Sequence, residues 1–176
     1  MGETKGRSST RERLLEAAAS IVQREGVLAL TLEAVAARAR VSKGGLLYHF
    51  PTKEALVRAL LEHHLDQFEQ ALARGSEPFV VAYVRQDTTA SNLALFRGML
   101  AAFALDPELL ALVRERYRRW LAWLPAQIDA LVAMLAADGL FLWAVLGIDV
   151  PDHQLALVRQ RLVQLAASAE AAREGT

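Results

Sequence analysis

Residues 31–56 read TLEAVAARARVSKGGLLYHFPTKEAL, and this stretch decides the fold. Thr31 stands before a short apolar-periodic run, residues 32–39, and Ser42 before a second, residues 43–49. A hydroxyl at the position preceding a helix accepts a hydrogen bond from one of its first free backbone N–H groups. Pro51-Thr52 then opens a long helix over residues 53 to about 74, ended by Gly75. Two short capped helices joined by Arg38-Ala39-Arg40-Val41-Ser42 form a helix-turn-helix pattern. The second helix of such a unit enters the major groove of DNA with its first residues at base edges. Here it runs from Lys43 through Gly44 and Gly45 to Tyr48 and His49. Its two glycines cost about 1 kcal/mol each relative to alanine, and they let the backbone come close to a phosphate or a base. Ser42, Tyr48, His49 and Lys53 add the donors that hold phosphates and fix register.

Outward from this stretch, the chain reads as helices throughout. Ser9-Thr10-Arg11-Glu12 fits a capping box, and Leu14, Ala18, Ile21 and Val22 follow on one face until Gly26. Beyond the long helix, residues 78–88 predict a helix, and Ser91 is expected to cap one over residues 92–104. Asp106-Pro107-Glu108 combines cap, first-turn proline and first-turn acid, and its helix extends to about Trp123. Pro125 begins the next, which ends at Gly147, and Pro151-Asp152 begins the last, to about Ser168. The expected fold is all-α: about nine helices and no strand. A boundary is expected between residues 1–52, which hold the helix-turn-helix, and the helical remainder, residues 53–176.

The 176 residues carry 20 Lys+Arg against 20 Asp+Glu, a net charge of zero that argues at first against nucleic acid. The distribution reverses this. Residues 1–60 hold ten lysines and arginines against six acids, and the remainder carries the matching acidic excess. A basic third on an acidic body suggests an anionic partner. The absence of cysteine excludes disulfide scaffolds, thiol catalysis and thiolate metal sites. The polar start, residues 1–10, does not resemble a secretory signal. Residues 121–148 are strongly apolar, but Pro125, Asp129 and Asp138 interrupt them, so no membrane span and no membrane partner are expected. There is no phosphate loop, no zinc signature and no nucleophile–base–acid pattern, so neither an enzyme nor a cofactor is expected. His63 and His64 are adjacent and point to different sides of a helix, which does not suit a metal.

Residues 31–56 resemble the DNA-binding region of the tetracycline-repressor (TetR) family of bacterial transcription regulators. The match lies in Thr31, Ala36, Ala39, Val41, Ser42, Gly44, His49, Phe50, Lys53 and Leu56, ten identities in thirteen fixed positions, with Val35 standing for isoleucine. Two positions depart: Arg40 replaces the turn glycine and Leu47 a tyrosine. A left-handed turn at Arg40 would cost about 1 kcal/mol or more. The resemblance implies a three-helix DNA-binding domain over residues 1–52 and a helical effector-binding and dimerisation domain over residues 53–176. It implies a cytoplasmic homodimer, nucleoid-associated when DNA-bound, that binds a pseudo-palindromic double-stranded operator, most simply as a repressor released by a small molecule. Activation, effector-independent regulation, or a helical partner-binding protein that keeps the motif as scaffold are the alternatives. The DNA-contacting set implied is Arg11, Thr31, Arg40, Ser42, Lys43, Gly44, Gly45, Tyr48, His49 and Lys53, with Lys5, Arg7 and Arg13 as further basic candidates.

For an apolar or amphipathic effector, two stripes are candidates, Phe96, Met99 and Phe103 facing Trp120 and Trp123, with Tyr117 as a polar member of the same pocket. Gly98, Ala101 and Ala102 would leave room, and Arg85, Asp87, Arg97 and Gln127 could orient the ligand. The run Arg114–Arg119 reads as a solvated face. For the dimer seam, Ile128, Leu131, Leu135, Leu142 and Val145 form one stripe, and Leu155, Val158, Leu162 and Leu165 another.

Overall fold

A computed structural model describes residues 9–86 and 89–174, and every regular element in them is helical. Helix α1, Thr10–Glu25, opens on the expected capping box: Ser9 Oγ accepts from Glu12 N at 3.1 Å, and Glu12 Oε2 accepts from Ser9 N at 2.6 Å. Gly26, at φ 81°, ends it, and a single 3-10 turn, Val27–Ala29, leads to α2, Leu32–Ala39. Helix α3 is Lys43–His49 and α4 is Lys53–Ala73. Thr31, Ser42 and Thr52 each accept an N–H three residues on, at 3.1 Å.

The remaining helices are α5 (Phe79–Arg85), α6 (Ala90–Leu105), α7 (Pro107–Trp123), α8 (Ile128–Leu146) and α9 (Asp152–Glu174). Four boundaries differ from those expected, the first being the end of α5, at Arg85 where the expected helix ran to residue 88. Thr89, not Ser91, caps α6, accepting from Asn92 N at 3.2 Å. Helix α8 starts after Gln127 rather than at Pro125. Helix α9 continues past Ser168 to Glu174, because Ala169 and Glu170 are buried and hold its last turns. Lys5, Arg7 and Asp87 lie outside the described residues.

The chain divides into two units, with the division inside α4 after His64. The first unit joins α1–α3 and the first part of α4 to residues Ala94–Leu109. Its core is Leu14, Leu15, Val22, Leu30, Val35, Leu46 and Leu56, all removed from solvent. Helix α6 meets the end of α1 backbone to backbone at Gly98, where a Cβ would stand 2.2 Å from Val22 O. The small residue expected to leave room for an effector is therefore spent on a close helix crossing. The second unit contains α5, α8, α9 and most of α7. Val80, Val81 and Val84 of α5 pack with Ala130 and Ala133 of α8 and with Leu162, Ala166 and Ala169 of α9. The alanines let the helix axes come close, so that many small contacts replace a few large ones.

Candidate nucleic-acid interface

The α2–α3 turn is built from α1. Arg40 adopts the left-handed conformation at φ 54°, and Val41 N donates to Ala36 O at 3.0 Å. This closes α2 as a glycine would, with the steric cost of a side chain retained. Arg13 offsets it: its Nη2 donates to Ala39 O at 2.6 Å and to Arg40 O at 3.2 Å. Arg13, a DNA candidate from sequence, is thus a brace of the turn. Arg40's own side chain remains exposed.

Helix α3 buries Leu46 and turns its opposite side to solvent. Tyr48 is 86% exposed and meets the His49 ring edge-on at 5.2 Å. His49 is half-buried between Tyr48 and Phe50. The two glycines differ. A Cβ on Gly44 would enter open space, which leaves its backbone approachable. A Cβ on Gly45 would press Val41 Cγ1 at 3.0 Å and Ser42 Oγ at 3.2 Å, so Gly45 serves the packing of the turn. Lys43 Nζ lies 2.9 Å from Glu33, with both side chains about two-thirds exposed. That ion pair holds the Glu33 carboxyl below its usual value and is in water, where a phosphate could replace it. Lys53 Nζ donates to Leu28 O at 3.3 Å. Arg11 lies over the Phe50 ring, 5.6 Å from its centre. Thr31 and Ser42 are exposed, and their hydroxyls are committed to their caps.

The two effector stripes have separate surroundings. Phe96 and Met99, with Leu60, Leu61, His64 and Leu95, line a cavity of about 10 Å³ in the first unit. That is room for about one water, far below the ~300 Å³ of a ligand pocket. His64 stands edge-on to Phe96 at 5.3 Å, and burial, with the charge of His63, holds its imidazole below the ordinary value. Phe103 is partly buried in the same unit. Tyr117, Trp120 and Trp123 belong to the second unit and join rings that local periodicity does not reveal. Trp120 packs on Tyr117 at 4.9 Å, Phe68 at 5.4 Å and Tyr83 at 5.9 Å, while Trp123 meets Phe79 at 5.2 Å. Among these rings Asp138 Oδ1 accepts from Tyr83 at 2.5 Å and from Tyr117 at 3.1 Å. Burial raises the Asp138 carboxyl above its usual range against the pull of the two phenols. Burial and that carboxylate push Tyr117 up to about 12 and Tyr83 higher still.

The run Arg114–Arg119 is not simply solvated. Arg116 is 16% exposed and pairs with Asp66 and, at 2.7 Å, with Glu69 of α4. Glu69 also accepts from Arg119 at 3.2 Å and from the Trp120 indole at 2.9 Å. The proposed seam needs correction too. Val145 and Leu162 are buried within the chain, and Leu165 packs against the same core as Leu162. Leu131 and Leu155 are half-buried. Ile128 (68% exposed), Leu135 (61%) and Leu142 do lie on the surface, joined by Val132, Trp143 and Leu146. On α9, Val158 is exposed with Leu157. Helix α8 is apolar on both sides, one for its own core and one uncovered. By length and composition alone it could cross a membrane, which the sequence reading, weighing its charges, did not expect.

Fold and site together define a helix-turn-helix protein with a helical body. Residues 14–60 match the family described as bacterial regulatory proteins, tetR family, and residues 77–167 the tetracyclin repressor-like C-terminal domain. The chain belongs to the TetR family. It is 32% identical over 102 residues to the HTH-type transcriptional regulator UidR of Escherichia coli strain K12, covering 58% of this chain and 50% of UidR. It is 36% identical over 106 residues to the HTH-type transcriptional repressor KstR2 of Rhodococcus jostii, covering 54% of this chain and 52% of KstR2. The chain thus spans about half the length of the curated relatives it matches. Those relatives are transcription regulators, not enzymes. A TetR-family member from Streptomyces coelicolor shares the fold at TM-score 0.71 and 22% identity, over 90% of this chain and 99% of that one. The multidrug binding protein EbrR, solved with malachite green, does so at 0.67 and 24%, over 90% and 99%.

Proposed function

We propose that the protein is a dimeric DNA-binding transcription regulator, a repressor whose operator affinity falls when a small molecule binds its second unit. The observation that carries this is α3: a capped helix whose outer side offers Lys43, an open backbone at Gly44 and an exposed Tyr48, on a turn braced by Arg13. Lys43, Gly44 and Tyr48 meet base edges and phosphates. Arg11, Arg40, His49 and Lys53 hold the backbone, and Thr31, Ser42 and Gly45 shape the turn that aims them. The repressor direction has the support of the KstR2 relative, and the effector that of the ligand-bound EbrR neighbour.

The uncovered face of α8, with Leu157 and Val158 of α9, seats a second copy. A twofold dimer places two recognition helices on a pseudo-palindromic site, one turn apart. The family matches support a second copy over a bilayer as the cover for α8, with the chain in the cytoplasm. An effector would act by favouring a dimer spacing that misfits the operator, with α4 as the coupling helix. Duplex selected from a random pool, followed by a salt titration, tests the reading. Log affinity should fall steeply against log salt, as several phosphates are neutralised. Binding that is weak and flat with salt would overturn it.

A further inference from the structure

We propose that the Asp138–Tyr83–Tyr117 cluster, set among the rings of Phe79 and Trp120, is a subsite for an organic cation. The proposal rests on the effector reading above and names its ligand class. Two carboxylates of the second unit are treated in opposite ways. Glu69 faces two guanidinium groups and an indole N–H, so its charge is matched inside the chain. Asp138 has two phenol donors, and among the described residues no lysine, arginine or histidine pairs with it. Phenols can hydrogen-bond a carboxylate but cannot cancel its charge, and a partly buried charge without a counter-ion is costly.

The surroundings supply the rest of a cation's requirements. Tyr83 is ringed by Phe68 at 5.6 Å, Phe79 at 5.8 Å and Trp120 at 5.9 Å. Ring faces are negative and attract a cation within about 6 Å, most strongly where water is excluded. Trp123 is half exposed and touches Phe79, so a continuous path of rings leads from solvent towards the carboxylate. A flat delocalised cation can slide along such a path, displacing ring–ring contacts with ring–ligand ones. An anion would meet Asp138 with the wrong sign, and a neutral ring would leave its charge unmatched.

The test compares N-methylacridinium, permanently charged, with acridine, a neutral ring of nearly the same shape, by quenching of tryptophan fluorescence at pH 7.5. The cation should bind the unmodified chain at least about tenfold more tightly. Asp138→Asn, checked for folding by circular dichroism, should abolish the preference while still binding either ring weakly. Equal binding of the two dyes, no binding of the cation, or a preference that survives in folded Asp138→Asn overturns the proposal. The dye comparison on the unmodified chain decides the matter even if the variant fails to fold. Duplex affinity of the same samples separates the two levels. Salt-sensitive duplex binding with no dye preference removes the cation site and leaves the regulator, whereas absent duplex binding removes the regulator itself.

Discussion

In the first unit, Ser9, Thr31, Ser42 and Thr52 each accept an N–H from three residues ahead. In the second, Asp138 draws its donors from 21 and 55 residues away, and Glu69 from 47, 50 and 51. The first unit sets its helix ends by local chemistry. The body sets its polar interior by tertiary packing. A local cap survives almost any rearrangement of distant parts, whereas a long-range polar contact holds only while several helices keep their places. Local caps suit a unit that presents one fixed surface, and long-range polar contacts suit a body whose helices respond together.

Gly98 and the Arg13 brace are where the first unit departs from this rule, and replacing Gly98 should have the largest effect. Gly98→Val places side-chain atoms against Val22 O and should cost about 3 kcal/mol, roughly 5–10 °C in thermal melting. An unchanged Tm would show that α6 can move away from α1 freely. Next comes the uncovered face of the body. Leu135→Glu with Leu142→Glu should leave helical content intact, yield monomers in sedimentation and lower duplex affinity by at least about tenfold. A dimer that persists would place the seam elsewhere.

Arg13→Ala sharpens the account of the turn. It removes both donors to the Ala39 and Arg40 carbonyls and should cost about 1–2 kcal/mol in urea unfolding. Arg40→Gly should instead gain up to about 1 kcal/mol by relieving the left-handed arginine. Equal signs for the two would break the argument. A smaller effect is expected of Asp138→Asn in stability against pH. Burial raises the Asp138 carboxyl in the folded state, so its contribution is full below the ordinary 3.8 and is lost as pH rises through the raised value. The variant should therefore gain most on the wild type near neutrality, and the gain should shrink as pH falls towards 3.8. A gain that grows on acidification would mean the phenol bonds outweigh burial. The smallest effect concerns Lys53→Ala, which should weaken all duplexes alike and lower the salt slope by about one.

The helices of the first unit were legible because caps and glycines act within three or four residues. Thr31, Ser42 and Gly26 each announce an element without reference to anything distant. Even the left-handed Arg40 could be anticipated, from an arginine where the TetR pattern has glycine. Arg13's role could not, since its carbonyl partners lie 26 and 27 residues on. Which apolar residues of α8 and α9 stay exposed was half legible. Periodicity marks α8 as apolar all round, but it does not say which side the chain itself covers, and so Val145 and Leu162 were placed outward when they are core.

By itself, then, the sequence determined the helix order, the helix-turn-helix and the split between a basic third and an acidic body. All of these rest on short-range hydrogen bonding, periodicity and charge. Only the tertiary structure decided that Gly98 seats α6 on α1, that Gly44 is open while Gly45 is not, and that Arg116 faces α4. The same holds for Asp138, which meets two tyrosines from other helices and, among the described residues, no basic one. Apart from Gly45, whose neighbours Val41 and Ser42 lie four and three residues back, these are contacts between residues far apart in the chain. Their energies depend on which faces the core claims first, and no local pattern encodes that choice.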